Sequence, residues 1–192
     1  MTLLDRIGNT PLVRLERVTR GLVPEGVEVW AKLEWFNPGG SVKDRAASAI
    51  IRAAEAAGQV QPGTVLLDSS SGNTGIAYGM ICAQRGYPLT LCLPKNANRE
   101  RKRILRAFGV DIVETDPLEG SDGAIRAAKA LVAAAPGKYL FLDQYSNEAN
   151  PRAHELGTAE EIWAQTGGRV THWVATLGTS GTFVGTSRGL RR

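Results

Sequence analysis

Cysteine and histidine are scarce in this 192-residue sequence, with two of each. Cys82 and Cys92 stand too far apart for a C-x-x-C redox motif and match no zinc pattern. Each falls in an apolar or helical stretch, which suits a buried small hydrophobe. Two cysteines also exclude a disulfide scaffold. His154 and His172 have no Cys or carboxylate at metal-ligand spacing, so no metal site is expected. His172, inside a strand-like run, reads as a structural histidine. No apolar run approaches the roughly 18 residues of a membrane span. Met1–Arg6 lacks the apolar core of a signal peptide, which predicts a cytoplasmic protein. Charge of one sign is not in large excess: 23 basic and 19 acidic residues leave +4. Much of that excess lies in residues 95–106 and at Arg188, Arg191 and Arg192. The first run carries Ile104, Leu105 and Phe108 at helical spacing and has no aromatic stacking platform. It reads as a solvated helix face, and no nucleic-acid or membrane partner is expected.

The composition is that of a folded globular chain, with 43% hydrophobic and 22% charged residues, which excludes disorder and collagen. The length suits one to two domains with a sizeable core. Strand-like runs lie at residues 27–33, 64–68, 89–93, 111–114, 139–142 and 171–176. Helical patterns lie between them, at 42–57, 74–85, 98–107, 121–135 and 152–165. Gly58, Gly86, Gly109 and Gly137 stand where helices end. Several strands are continuous apolar runs, as in parallel strands covered on both faces. The pattern predicts an α/β fold: open, twisted, mostly parallel sheet with helices on both faces. A hairpin-like piece, residues 10–15, precedes the first full strand.

Three loops lie between a strand and a helix, where open α/β sheets bind ligands. The first is Asn37-Pro38-Gly39-Gly40-Ser41-Val42-Lys43-Asp44-Arg45. Ser41 reads as an N-cap with Asp44 three residues on, which places Lys43 in the first helical turn. The helix dipole disfavours an ammonium there, and burial would favour the neutral amine. A neutral, positioned lysine suits imine chemistry with an aldehyde; an exposed lysine at a helix start is the simpler alternative. The second loop, Asp68-Ser69-Ser70-Ser71-Gly72-Asn73-Thr74-Gly75, opens a helix with hydroxyls and N–H groups suited to a carboxylate or phosphate. The alternative is a well-capped turn. The third, Gly178-Thr179-Ser180-Gly181-Thr182-Phe183-Val184-Gly185, has the same anion-cradle chemistry. It lacks the lysine of a Walker A loop and the spacing of a dinucleotide loop. Lysine, carboxylate loop and phosphate loop together suit pyridoxal phosphate, as one candidate among several.

With these motifs in order from Ile7-Gly8-Asn9-Thr10-Pro11-Leu12 through Gly185, the sequence resembles the cysteine synthase (O-acetylserine sulfhydrylase) branch of the fold-type II pyridoxal-phosphate enzymes. The resemblance implies that Lys43 is the Schiff-base lysine and that Asn73 faces the cofactor's ring hydroxyl. It implies that Ser70, Ser71, Asn73, Thr74 and Gln144 hold the substrate carboxylate. Gly178, Thr179, Ser180, Gly181 and Thr182 would cradle the phosphate. Ser70 stands where threonine is usual, Ser180 where glycine or threonine is usual, and Tyr145 where phenylalanine is frequent. Ser180 resembles a variant that accepts sulfur donors larger than sulfide. The implied reaction is replacement of the acetate of O-acetylserine by sulfide, giving cysteine, in a homodimer. Alternatives are a serine/threonine dehydratase, a cystathionine β-synthase, or a non-catalytic fragment. Residues 1–145 would form the cofactor domain, with early strands free to pair with the second domain. Residues 146–192 would form the opening of an incomplete second domain. An unpaired strand at 171–176 would then favour self-association.

Overall fold

The computed structural model describes residues 1–192. Its centre is built from the most continuously apolar runs. Strand β3 (Val65–Ser69) and strand β4 (Leu89–Pro94) are buried over almost their whole lengths. Side chains alternate across a strand, so such burial needs cover on both faces. On one face Leu66, Leu89, Leu91 and Leu93 meet Ala77, Tyr78 and Ile81 of helix α3 (Asn73–Arg85), Leu105 of α4 (Arg99–Ala107), and Ile50 and Ile51 of α2 (Lys43–Ala56). On the other, Leu67 and Cys92 meet Ala124 and Ala128 of α5 (Gly120–Ala134). Both cysteines are buried. No helix is long and apolar enough to cross a membrane.

The parallel sheet runs β5-β4-β3-β6, with β5 at Asp111–Thr115 and β6 at Tyr139–Phe141. Leu66 pairs with Leu89, Thr90 with Asp111, and Val65 with Tyr139. From β3 the chain steps outward through β4 to β5, then α5 returns it to the far side of β3. The crevice at the C-terminal ends of β3 and β6 is therefore the topological switch point, where open α/β sheets bind ligands. The helix-ending glycines fall as expected. Gly86 has φ +72°, and its N–H closes α3 on the Cys82 carbonyl.

The hairpin-like piece is β1 (Leu12–Arg14), antiparallel to β2 (Trp30–Lys32). The two are joined through a single helical turn, α1 (Glu16–Thr19). Three expectations need correction. The helix foreseen at 152–165 is α6 (Ala149–Ala153), a π-helical turn (His154–Thr158) and α7 (Ala159–Gln165). The turn lies where α8 (Gly181–Leu190) presses close: a Cβ on Gly185 would overlap the Pro151 carbonyl. Residues 171–176 form no strand. Residues 170–179 make no backbone–backbone hydrogen bond. Val174 and Leu177 are consequently exposed, and so is His172, which is not a buried structural residue. Finally, the capping box at Ser41 is only half formed: the Lys43 N–H donates to Ser41 Oγ, but Val42 is already helical and Asp44 turns back on Gly39 instead of Ser41.

Candidate active site

Lys43 is the first residue of α2, at the positive end of the helix. The turn before it is fixed from within the helix. The Gly39 N–H donates to Asp44 Oδ2 at 2.5 Å, and the Lys43 N–H donates to Ser41 Oγ at 3.2 Å. A Cβ on Gly39 would lie 2.5 Å from Asp44 Oδ1, so only glycine lets the turn close over that carboxyl. Burial raises the Asp44 carboxyl to about 6.

Glu34 and Glu161 are paired with other cations. Arg45, nearly buried, donates to Glu34 from Nε at 2.7 Å and to Glu161 from Nη1 at 2.6 Å and Nη2 at 2.8 Å. Lys32 Nζ stands 2.7 Å from Glu161 Oε2. Burial would raise the Glu161 carboxyl, but hydrogen bonds from Arg45, Lys32 and the Asn9 N–H outweigh it and hold it down at about 2. Lys43 is left half-buried with no carboxylate within ion-pairing distance. Its burial lowers the pKa of the amine, towards the neutral form.

The second loop leaves the end of β3 at the switch point. Ser70 Oγ accepts from the Gly75 N–H at 3.0 Å and the Gly72 N–H at 3.3 Å, folding the loop around its own hydroxyl. Gly75 must be small, because a Cβ there would lie 3.0 Å from Leu91. Asn73, the first residue of α3, is exposed, and Thr74 is buried. Gln144 arrives from beyond β6. Its Nε2 donates to the Ser69 carbonyl at 2.9 Å, and its Oε1 accepts from Thr74 Oγ1 at 2.8 Å. Beneath both lies Asp68, 1% exposed, with its carboxyl raised to about 7 by burial.

The third loop joins this arrangement through Asn150. Asn150 Nδ2 donates to the Gln144 carbonyl at 2.9 Å and to Thr179 Oγ1 at 3.0 Å. Gly181 packs onto the Asn150 side chain so closely that a Cβ would overlap it. Ser180, before α8, has φ +61°, a left-handed conformation that is costly outside glycine and typical of functional loops. Thr182 Oγ1 lies 3.3 Å from His154 Nε2, and His154 Nδ1 lies 2.9 Å from Thr158 Oγ1. His154 is 1% exposed. Burial, then the Arg45 charge, lowers its pKa to about 4, so the ring is neutral.

One polar chain thus links Thr74, Gln144 and Thr179. Lys43, Ser71 and Asn73 have no side-chain hydrogen bond to it, and Gly178 is exposed. Sequence reasoning missed the connecting residue Asn150, and gave no role to Asp68 and Arg45 although both lie within the loops it singled out. Asn150 had a weak signal, an amide one residue before Pro151 at a helix start. Arg45 had none, because its partners lie far away in sequence.

A family profile described as "Pyridoxal-phosphate dependent enzyme" matches residues 3–192. The chain belongs to this family. Cysteine synthase of Aquifex aeolicus is 52% identical over 190 residues, covering 99% of this chain and 58% of that protein. Cysteine synthase B of Salmonella typhimurium is 48% identical over 191 residues, covering 99% of this chain and 61% of that protein. Among solved structures, a cysteine synthase of Entamoeba histolytica superposes with TM-score 0.95 at 39% identity, covering 99% of this chain and 56% of that one. A hydrogen sulfide-producing enzyme of Fusobacterium nucleatum gives 0.90 at 37%, covering 99% and 62%. The chain therefore spans about three fifths of the length of these relatives. The family uses pyridoxal phosphate, and the donor set here fits it. Lys43 offers a half-buried amine without a counter-ion, and the start of α8 offers N–H groups and hydroxyls to a phosphate.

Proposed function

We propose that this chain carries the cofactor- and substrate-binding portion of a cysteine synthase, which replaces the acetate of O-acetylserine with sulfide. The observation that carries the reading is the meeting of the 70–74 loop, Gln144 and Thr179 at the switch point, on a family scaffold whose lysine has no counter-ion. Lys43 would hold the cofactor, and residues 178–182 would receive its phosphate. Asn73 would face the cofactor ring. Bound pyridoxal phosphate supplies an electron sink for negative charge at the substrate Cα. The N–H groups of Ser71, Asn73 and Thr74 and the hydroxyls of Ser70 and Ser71 orient the substrate carboxylate, with Gln144 bracing Thr74 from behind. Lys43, as the neutral amine, takes the proton from Cα while acetate departs from Cβ. Sulfide then bonds to Cβ, and the Lys43 ammonium returns a proton to Cα. Residues 1–145 would form the cofactor domain of a cytoplasmic homodimer, and residues 146–192 the start of the second.

The test is visible absorbance after loading with pyridoxal phosphate, followed by borohydride and peptide mapping. The expected result is a yellow protein labelled at Lys43, colourless as Lys43→Ala, that makes cysteine from O-acetylserine and sulfide. Label at another lysine would sink the assignment, and a 2-oxo acid released from serine would identify a dehydratase instead. A second reading has its own observation, the exposed apolar segment 170–177 without a backbone partner. In that reading the chain needs further polypeptide to pair this segment and is inactive alone. Light scattering separates the two, since an inactive, self-associating chain supports the second.

A further inference from the structure

The two segments that meet at the switch point share no backbone hydrogen bond beyond the end of the β3–β6 ladder, where the Leu142 N–H donates to the Leu67 carbonyl. Past that bond the chain turns sharply, with Asp143 at φ +46°. Beyond Asp143, the Gln144 N–H finds no backbone acceptor. It donates instead to Asp68 Oδ2 at 3.2 Å, while Asp68 Oδ1 takes the Ser69 N–H at 2.7 Å. Each carboxylate oxygen thus holds the first residue of one of the two segments. Ser69 leads directly into the 70–74 loop, and Gln144 carries the amide that braces Thr74. An acid is otherwise an expensive choice at the fully buried end of a strand. Only a carboxylate offers two acceptor oxygens and no donor, which is what two converging N–H groups require.

We propose that Asp68 is a positioning residue for the substrate-binding loop: its carboxylate fixes the separation between the Ser69–Thr74 loop and Gln144. The proposal rests on the reading of that loop as a carboxylate site, and deepens it. Asp68 does not touch substrate; it sets where Thr74 and the loop N–H groups point. Asn at this position keeps the shape but offers one acceptor, and turns its NH₂ towards the other N–H.

Two measurements on the full chain at pH 8 decide the matter. The first is amide hydrogen exchange by NMR. In the wild type the Gln144 N–H, though in a loop, is expected to exchange at least about 100-fold more slowly than in an unstructured chain, because the carboxylate holds it. In Asp68→Asn the Ser69 and Gln144 amides should exchange about tenfold faster or more, with β4 and α4 unchanged. The second is acetate titration followed at the Ser71, Asn73 and Thr74 amides, where Asp68→Asn should weaken binding about tenfold. An unprotected Gln144 amide in the wild type overturns the proposal without recourse to any variant. Unchanged exchange and acetate affinity in Asp68→Asn overturn it as well. No acetate response in the wild type would refute the carboxylate-site reading, while the Gln144 amide would still decide whether Asp68 holds the two segments.

Discussion

Removing Glu161 tests the ion network that surrounds the start of α2. In Glu161→Ala, Arg45 loses its bonds at 2.6 and 2.8 Å, and Lys32 loses the partner at 2.7 Å. Arg45 and Lys32 keep only 5% and 6% of their side chains exposed, so water cannot replace the carboxylate cheaply. Arg45 retains Glu34, and Lys32 retains only the Thr10 carbonyl and Gln165. Breaking one partner from a buried pair costs about 3–5 kcal/mol. Glu161 is itself partly open to solvent, and Glu34 remains, which argues for the lower end, about 3 kcal/mol. For a chain of this size that is a fall in Tm of roughly 6–12 °C. Urea unfolding followed by circular dichroism measures the loss directly. Glu161→Gln, which keeps one acceptor oxygen, should recover part of it. A loss below about 1 kcal/mol in Glu161→Ala would mean that the pair is solvent-screened, and would refute the argument from burial.

Two further outcomes follow from the packing of α8 and from His154. His154 has a folded pKa of about 4 against an ordinary value of 6.5. Above 6.5 both folded and unfolded chains carry it neutral and stability is unaffected. As pH falls from 6.5 towards 4 the unfolded chain takes the proton first, so stability falls by up to roughly 3 kcal/mol. Denaturant melts from pH 7 to 4 should show this slope, and His154→Gln should flatten it. Gly185→Ala forces a Cβ onto the Pro151 carbonyl, a backbone atom that no rotamer change can move. It should cost roughly 1–3 kcal/mol by thermal melting, whereas Gly178→Ala, with open space around it, should melt like the wild type.

The parallel sheet was legible because its strands are short apolar runs with a glycine or proline at their ends. The order β5-β4-β3-β6 sets only which strands are neighbours, and no periodicity encodes that. Three loops were readable from hydroxyl and glycine content, which reports local N–H geometry. What could not be read was what ties the loops together. Asp68 to Gln144, Asn150 to Thr179 and Arg45 to Glu161 are contacts between residues remote in sequence, each made by a polar side chain that looks ordinary in its own window. The strand at 171–176 was misread for the opposite reason. Its residues have strand propensity, but a strand exists only where a neighbour supplies hydrogen bonds, and propensity is silent about neighbours.

The charge arrangement at the start of α2 shows why the long-range contacts matter. Residues two apart on a helix face different surroundings, so Arg45 and Lys43 do not share theirs. Here Arg45, two residues further along α2, binds both Glu34 and Glu161, and Lys32 shares the second. Arginine suits this role because its planar fork can hold two carboxylates at once and its charge cannot be given up. Both acids are thereby held by these cations, while Lys43 keeps the helix N-terminus and partial burial as its surroundings, both of which favour the neutral amine. The same network fastens α2 to α7, and α7 continues the helix run whose π turn packs against α8 and the third loop. A single set of ion pairs therefore ties the helix that carries the lysine to the helix run that packs against the loop that would receive the phosphate. Replacing Arg45 by lysine would keep the charge but lose the fork, so the two ends of the site would lose their common anchor.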